Sequence, residues 1–246
     1  MAVLSQKPGR ALWVDVARGL AIAAMIVYHG AFDLAFFRLA DLPVTEHWGW
    51  RGFAAGIAST FLFIVGVSLV YAHRGGVRWR SFLRRLAIIA GCAAAVSVAT
   101  ILAVPAPVYF GILHAIATFS VLALPFVFLP PFVTVVAALL VLAAPHFLTS
   151  PLFSSPLLYP VGLSPVRPVS FDYEPIFPWL SVTLLGVAFA RIARFPAARE
   201  APAPAMLRPL IFAGRHSLVI YLVHQPLLFG IFLALIWAGV VSPAVS

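Results

Sequence analysis

Residues 15–34 read DVARGLAIAAMIVYHGAFDL. The stretch is apolar enough to enter a bilayer, yet it carries Asp15, Arg18, His29 and Asp33. An Arg or Asp at the centre of an inserted helix costs about 2.5–3.5 kcal/mol. Four ionisable groups persist there only if something other than lipid meets them. At about 100° per residue, Asp15, Arg18, Ile22, Met25, His29 and Asp33 fall within an arc of about 80°. The charges thus form one stripe, which must face protein or a water-filled cavity. His29 and Asp33 lie one turn apart, a spacing at which a carboxylate orients or charges an imidazole.

The rest of the chain has the same character. Of 246 residues, 63% are hydrophobic and 9% charged, with a mean hydropathy of +1.07. A soluble domain carries about 25% charged residues, so the sequence specifies a polytopic membrane protein. The net charge of +9 does not indicate a nucleic-acid partner, because the arginines cluster between apolar runs. With Cys92 the single cysteine, an intrachain disulfide and a cysteine metal cluster are both excluded.

A spanning helix needs about 20 mainly apolar residues. Such runs occur at 12–37, 52–72, 86–104, 108–129, 131–148, 176–194 and 209–238. Pro105 with Pro107, and Pro130 with Pro131, mark turns between neighbouring runs, since proline cannot donate a helical hydrogen bond. The expected fold is all-α: a transmembrane bundle of about seven spans forming a single domain over residues 1–246. Cytoplasmic loops retain Lys and Arg. Lys7 and Arg10 mark the N-terminal tail, Arg74, Arg78, Arg80, Arg84 and Arg85 the second connection, and Arg194, Arg199 and Arg208, against Glu200, the sixth. This places the N-terminus inside and the C-terminus outside, with a short cytoplasmic tail at 1–11 and a long outer loop at 149–175. The first run reads as a retained helix rather than a cleaved leader, and no internal repeat of the transporter kind is evident.

Other polar groups recur in the apolar runs. In GRHSLVIYLVHQPLL, residues 214–228, Ser217, Tyr221, His224 and Leu228 share a face, with Gln225 beside them and Pro226 providing a kink. His114 lies in the fourth run, and His47, next to Glu46, in the first outer loop. His29, His47, His114 and His224 are expected to converge on the outer half. Two readings remain open for Asp15 and Arg18, a structural ion pair or a ligand contact. His114 equally reads as a partner for a neighbouring helix. His73 reads as part of the basic inner edge, and His146, Trp48, Trp50, Trp179 and Trp237 as interfacial residues. A metal is not expected, as there is no HExxH and no repeated histidine box. Phosphate-loop, dinucleotide and G-x-S-x-G signatures are missing as well.

Five segments, LWVDVARGLAIAAMIVYHGAFDL, FLFIVGVSL, YFGILHAIA, FDYEPIFPWLSVTLLGVAFAR and GRHSLVIYLVHQPLL, resemble in this order the bacterial branch of the heparan-α-glucosaminide N-acetyltransferase catalytic-domain family. The similarity runs from about residue 10 to 230. It implies a multi-pass acyltransferase of the inner membrane, taking an acetyl group from cytoplasmic acetyl-CoA to an amino sugar or other extracytoplasmic glycan. The family's Asp-x-x-Arg-Gly motif matches Asp15, Arg18 and Gly19. Its lumenal histidine corresponds loosely to His47, while His29 stands where the lysosomal branch has an asparagine.

Such chemistry needs a base and oxyanion donors. His29 with Asp33, or His47 with Glu46, is the expected base. His224, Tyr221, His114 and Gln225 are the expected substrate or oxyanion donors, and Asp15, Arg18, Arg84 and Arg85 the groups for acyl-CoA. Membrane lipid is the expected environment, with assembly into homo-oligomers left open. The same intramembrane set also suits a small proton-coupled permease, and a non-catalytic partner in envelope-glycan assembly is a further alternative.

Overall fold

The computed structural model describes residues 11–103, 106–193 and 204–242. Lys7, Arg10, Pro105, Arg194, Arg199 and Glu200 lie outside the described residues. The helices are α1 (Leu12–Phe36), α2 (Trp48–His73), α3 (Trp79–Ala103), α4 (Ile112–Ala123), α5 (Pro131–Leu148), α6 (Ile176–Ala193), α7 (Arg208–Arg215) and α8 (Ser217–Trp237). Among the described residues there is no strand, only an isolated bridge between Phe110 and Tyr173. All of these helices except α4 and α7 are long and apolar enough to cross a bilayer, six in number.

Three boundaries differ from those expected. The run at 209–238 is two helices, broken at His216, whose backbone leaves the helical region (φ −105°, ψ 19°) while its ring Nδ1 lies 2.9 Å from the Phe212 carbonyl. The run at 108–129 gives a helix of only 12 residues, about 18 Å long. Its start is delayed because the Phe110–Tyr173 bridge holds the preceding chain extended, and its end is set by the 3₁₀ turn at Pro125–Val127. Finally, α3 begins at Trp79, so Arg80, Arg84 and Arg85 stand on a helix rather than in the connection.

The chain divides into two compact units, Met1–Phe61 with Pro196–Ser246, and Leu62–Phe195. In the first, α1 packs against α7 and α8. Contacts rise together along both long helices: His29 meets His224, Asp33 meets Gln225, and Phe36 and Phe37 meet Phe229. Thus α1 and α8 run parallel. Close approach of α1 to α7 depends on two glycines: a Cβ on Gly19 would collide with the Leu210 carbonyl, and one on Gly214 with the Asp15 carbonyl.

The second unit repeats this device. A Cβ on Gly66 would strike the Thr183 carbonyl, and one on Gly186 the Phe63 carbonyl, so α2 and α6 touch backbone to backbone. Small residues at such contacts are how membrane helices gain dispersion energy without a hydrophobic driving force. The Thr183 hydroxyl donates to the Leu62 carbonyl at 3.1 Å across the same contact. Helix α4 packs between α3 and α6, and α5 runs along α6.

Gly214→Ala therefore introduces an overlap that must push α7 off α1, costing about 1–3 kcal/mol. Gly230 in α8 has open space around its Cβ position. Thermal unfolding in detergent checks the contrast: Gly214→Ala lowers the midpoint, whereas Gly230→Ala leaves it unchanged or raised.

Candidate active site

Helix α1 turns its stripe inward as its spacing requires. Asp15, Ile22, Met25 and Asp33 are buried, and Arg18 and His29 half-buried. At the N-terminal end, the Asp15 carboxylate lies between two guanidiniums, Arg18 at 3.5 Å and Arg215 of α7 at 3.2 Å. Sequence reasoning assigned Arg215 no role. Its signal was faint: a basic residue ending a short amphipathic segment just before an apolar helix.

One half-helix further on, α1 and α8 build a denser group. His224 is the buried residue of α8. Its Nδ1 lies 2.6 Å from the Tyr221 carbonyl. A carbonyl only accepts, so the proton sits on Nδ1 and Nε2 presents a lone pair. The His29 ring is centred 4.9 Å from that of His224. Gln225 donates from Nε2 to Asp33 Oδ1 at 2.7 Å. Four buried polar atoms remain without a hydrogen-bond partner among the described residues: His29 Nδ1, Asp33 Oδ2, His224 Nε2 and Gln225 Oε1. Native proteins leave few such atoms, and here four come from two facing helices. Tyr28 walls the group, its ring 5.6 Å from His29 and 6.2 Å from Trp50.

A family model described as heparan-alpha-glucosaminide N-acetyltransferase, catalytic, matches residues 10–226. The chain belongs to this family. It is thereby an acyltransferase-type enzyme of the membrane. No curated protein and no solved structure matches it.

Against that acetyltransferase background, the expected site residues fall into separate places. His29, His224, Asp33, Gln225 and Tyr221 form one group, with the Tyr221 ring 5.7 Å from His224. The pairing within it differs from expectation: Asp33 is held by Gln225, not by His29. Asp33 sits fully buried on α1 while Gln225 approaches from α8, so the amide reaches it first. Glu46 and His47 are exposed ahead of α2. There His47 Nδ1 accepts from the Gly49 N–H at 3.1 Å, and the ring lies against Trp48. His47 makes no hydrogen bond or ring contact with the His29–His224 pair. His114 belongs to the second unit, where its Nε2 is 3.4 Å from the Ser97 hydroxyl. Arg84 and Arg85 are exposed on α3 of that unit. Among the described residues no cluster suited to a metal ion is found.

The loop at 149–175 also carries chemistry that sequence reasoning passed over. Asp172 Oδ2 accepts from the Ile112 N–H at 2.8 Å, capping α4. Next to it, Glu174 has a buried Oε2 without a partner among the described residues. Burial, reinforced by the Asp172 carboxylate and only partly offset by Arg167, pushes Glu174 up to about 9. Its ordinary value is 4.5, so from there to about 9 the unfolded chain is ionised while the folded chain keeps the proton. This contribution to stability is fully present below the lower value and lost as pH rises through the higher one. Glu174→Gln removes the dependence. Between pH 5 and pH 8 its melting midpoint falls less than that of the parent chain in matched detergent scans.

Proposed function

We propose that this chain transfers an acetyl group from acetyl-CoA to an amino sugar or other extracytoplasmic glycan acceptor, in the cell's inner membrane. The observation that supports the reading is the set of four buried, unpartnered polar atoms around the His29–His224 pair. An acceptor amine or hydroxyl supplies the partners they lack.

In this scheme the Nε2 lone pair of His224 takes the proton of the acceptor N–H or O–H. The freed nitrogen or oxygen bonds to the thioester carbonyl carbon and the carbon–sulfur bond breaks. CoA departs as thiolate and receives the proton back from His224. His29, across the pair, donates to the carbonyl oxygen as charge develops on it. Asp33 Oδ2 and Gln225 Oε1 accept from the acceptor's remaining N–H or O–H groups. Arg18, tethered by Asp15, and Arg84 and Arg85 on α3 are the groups proposed for the CoA phosphates. His47 with Glu46 is the competing base, and His114 a further donor.

The topology proposed is seven crossings, with the N-terminus inside and the C-terminus outside. Its support is the parallel course of α1 and α8. First and last spans that point the same way fit an odd number of crossings, and α4 with its following 3₁₀ turn is the crossing we add to the six long helices. Cysteine substitutions at Ser81 and Ser150 are then labelled by an impermeant maleimide from opposite faces of oriented vesicles.

Thiol release from acetyl-CoA, coupled to consumption of an amino-sugar acceptor, tests the chemistry on the purified protein. A positioned acid–base group contributes about 10²–10⁴-fold. His224→Ala lowers kcat by that amount with little change in thermal midpoint, and His29→Ala follows it. Full activity in His224→Ala together with complete loss in His47→Ala overturns the assignment.

A further inference from the structure

In the second unit, the end of α2 and the start of α3 border a half-open cavity of about 80 Å³ that extends to Ser120 of α4. A water needs about 10–15 Å³ by this measure, so a phosphate group with adjoining solvent fits. His73, Ser81, Arg85 and Ser120 line it, over an apolar base that includes Leu69 and Leu86.

The donors and acceptors in this cavity are unequal. His73 is 4% exposed, and its Nδ1 accepts from the Arg78 N–H at 3.4 Å. The proton is therefore on Nε2, where His73 acts as a donor. Ser120 spends its own proton on the Ile116 carbonyl at 2.6 Å. Arg85 has no ion pair and no hydrogen bond among the described residues. The sequence explains why. From residue 47 to residue 171 there are seven arginines and not one Asp or Glu. No carboxylate of these helices can neutralise Arg85, although the first unit gives Asp15 two guanidiniums.

We infer that this cavity is a phosphate-ester site: Arg85 and His73 Nε2 hold the phosphate oxygens, Ser81 adds a hydroxyl, and the apolar base receives the ester's carbon chain. A guanidinium fork matches phosphate geometry. The level also suits it, since His73 ends α2 and Arg85 stands in the second turn of α3, at one rim of the apolar spans. An acyl-CoA and an anionic phospholipid carry the same phosphate-ester chemistry. With CoA as occupant the inference rests on the function proposed above, which gives Arg85 to the CoA phosphates; with lipid as occupant it stands on this cavity alone and removes Arg85 from that role.

Thermal stabilisation of the full chain in detergent reads the binding. The probes are CoA against pantetheine, which lacks its phosphates, and phosphatidylglycerol against phosphatidylcholine. Selective stabilisation by CoA identifies a nucleotide-borne phosphate as occupant; selective stabilisation by phosphatidylglycerol identifies lipid. In either case Arg85→Gln raises the apparent Kd at least about tenfold, the range expected for a hydrogen bond to a charged group. Arg85→Lys loses less, and Arg80→Gln, whose side chain does not line the cavity, matches the parent chain. The inference is overturned if neither phosphate-bearing probe outperforms its counterpart, or if Arg80→Gln and Arg85→Gln weaken binding equally. A chain that binds the phosphate probe but transfers no acetyl group keeps this site and overturns the transferase reading instead.

Discussion

A carboxylate inside an apolar helix must be met by a donor from elsewhere in the chain. Helix α1 has two, Asp15 and Asp33, near its opposite ends. Both are met from the far end of the sequence, by Arg215 and by Gln225. These two contacts determine which segments can adjoin α1 and in which direction α8 must run. Polar contacts of this kind add little net stability over apolar packing of the same volume, and Arg215 is itself half-exposed. Their effect here is to specify partner and register, because any other placement of α8 takes the Gln225 amide from Asp33, and any other placement of α7 leaves Asp15 with Arg18 alone. Phe36, Phe37 and Phe229 then extend the contact by dispersion.

Close packing makes this specification effective. The 3.2 Å ion pair between Asp15 of α1 and Arg215 of α7 sits where the two backbones approach closely, and Gly19 and Gly214 are the residues that permit that approach. The Asp15 carbonyl occupies the space where a Gly214 side chain would begin, so the glycine and the ion pair act at the same level of the helix. Gly66 and Gly186 do the same for α2 and α6 without any charge, and there the Thr183 hydroxyl supplies the polar element.

Much of this was legible in the sequence because helical periodicity in an apolar background is unambiguous. The α1 stripe needed only the angular spacing of Asp15, Ile22, Met25 and Asp33 to be read. Of the four imidazoles expected to converge, His29 and His224 meet, whereas His47 lies against Gly49 and Trp48 and His114 against Ser97. Pairing was less legible. Sequence proximity favours Asp33 as partner of His29, but two residues on one helix compete with a third from another, and Gln225 prevails. The break at His216 escaped a hydropathy reading because α7 is short and its arginines are averaged into apolar surroundings. His73 was read from its position beside Arg74, whereas its environment is set by α3 folding back over it. Long-range placement of that kind leaves no local trace.

The His29–His224 group is best understood as stability given up locally. An unsatisfied buried donor or acceptor costs about 1–3 kcal/mol, and apolar residues at these positions would avoid that cost. Helix α8 is otherwise aliphatic or aromatic through most of its length, yet the residue it buries most completely is His224. Its Nδ1 proton is committed to the Tyr221 carbonyl, which fixes the tautomer and aims the basic nitrogen away from its own backbone. A histidine retained only to join two helices would point both nitrogens at partners. Here one nitrogen is anchored and the other is without a partner among the described residues, facing a second imidazole with a buried unpartnered nitrogen. This asymmetry is what supports the proton-transfer role proposed for the pair, and the Asp33–Gln225 contact between α1 and α8 holds it in place.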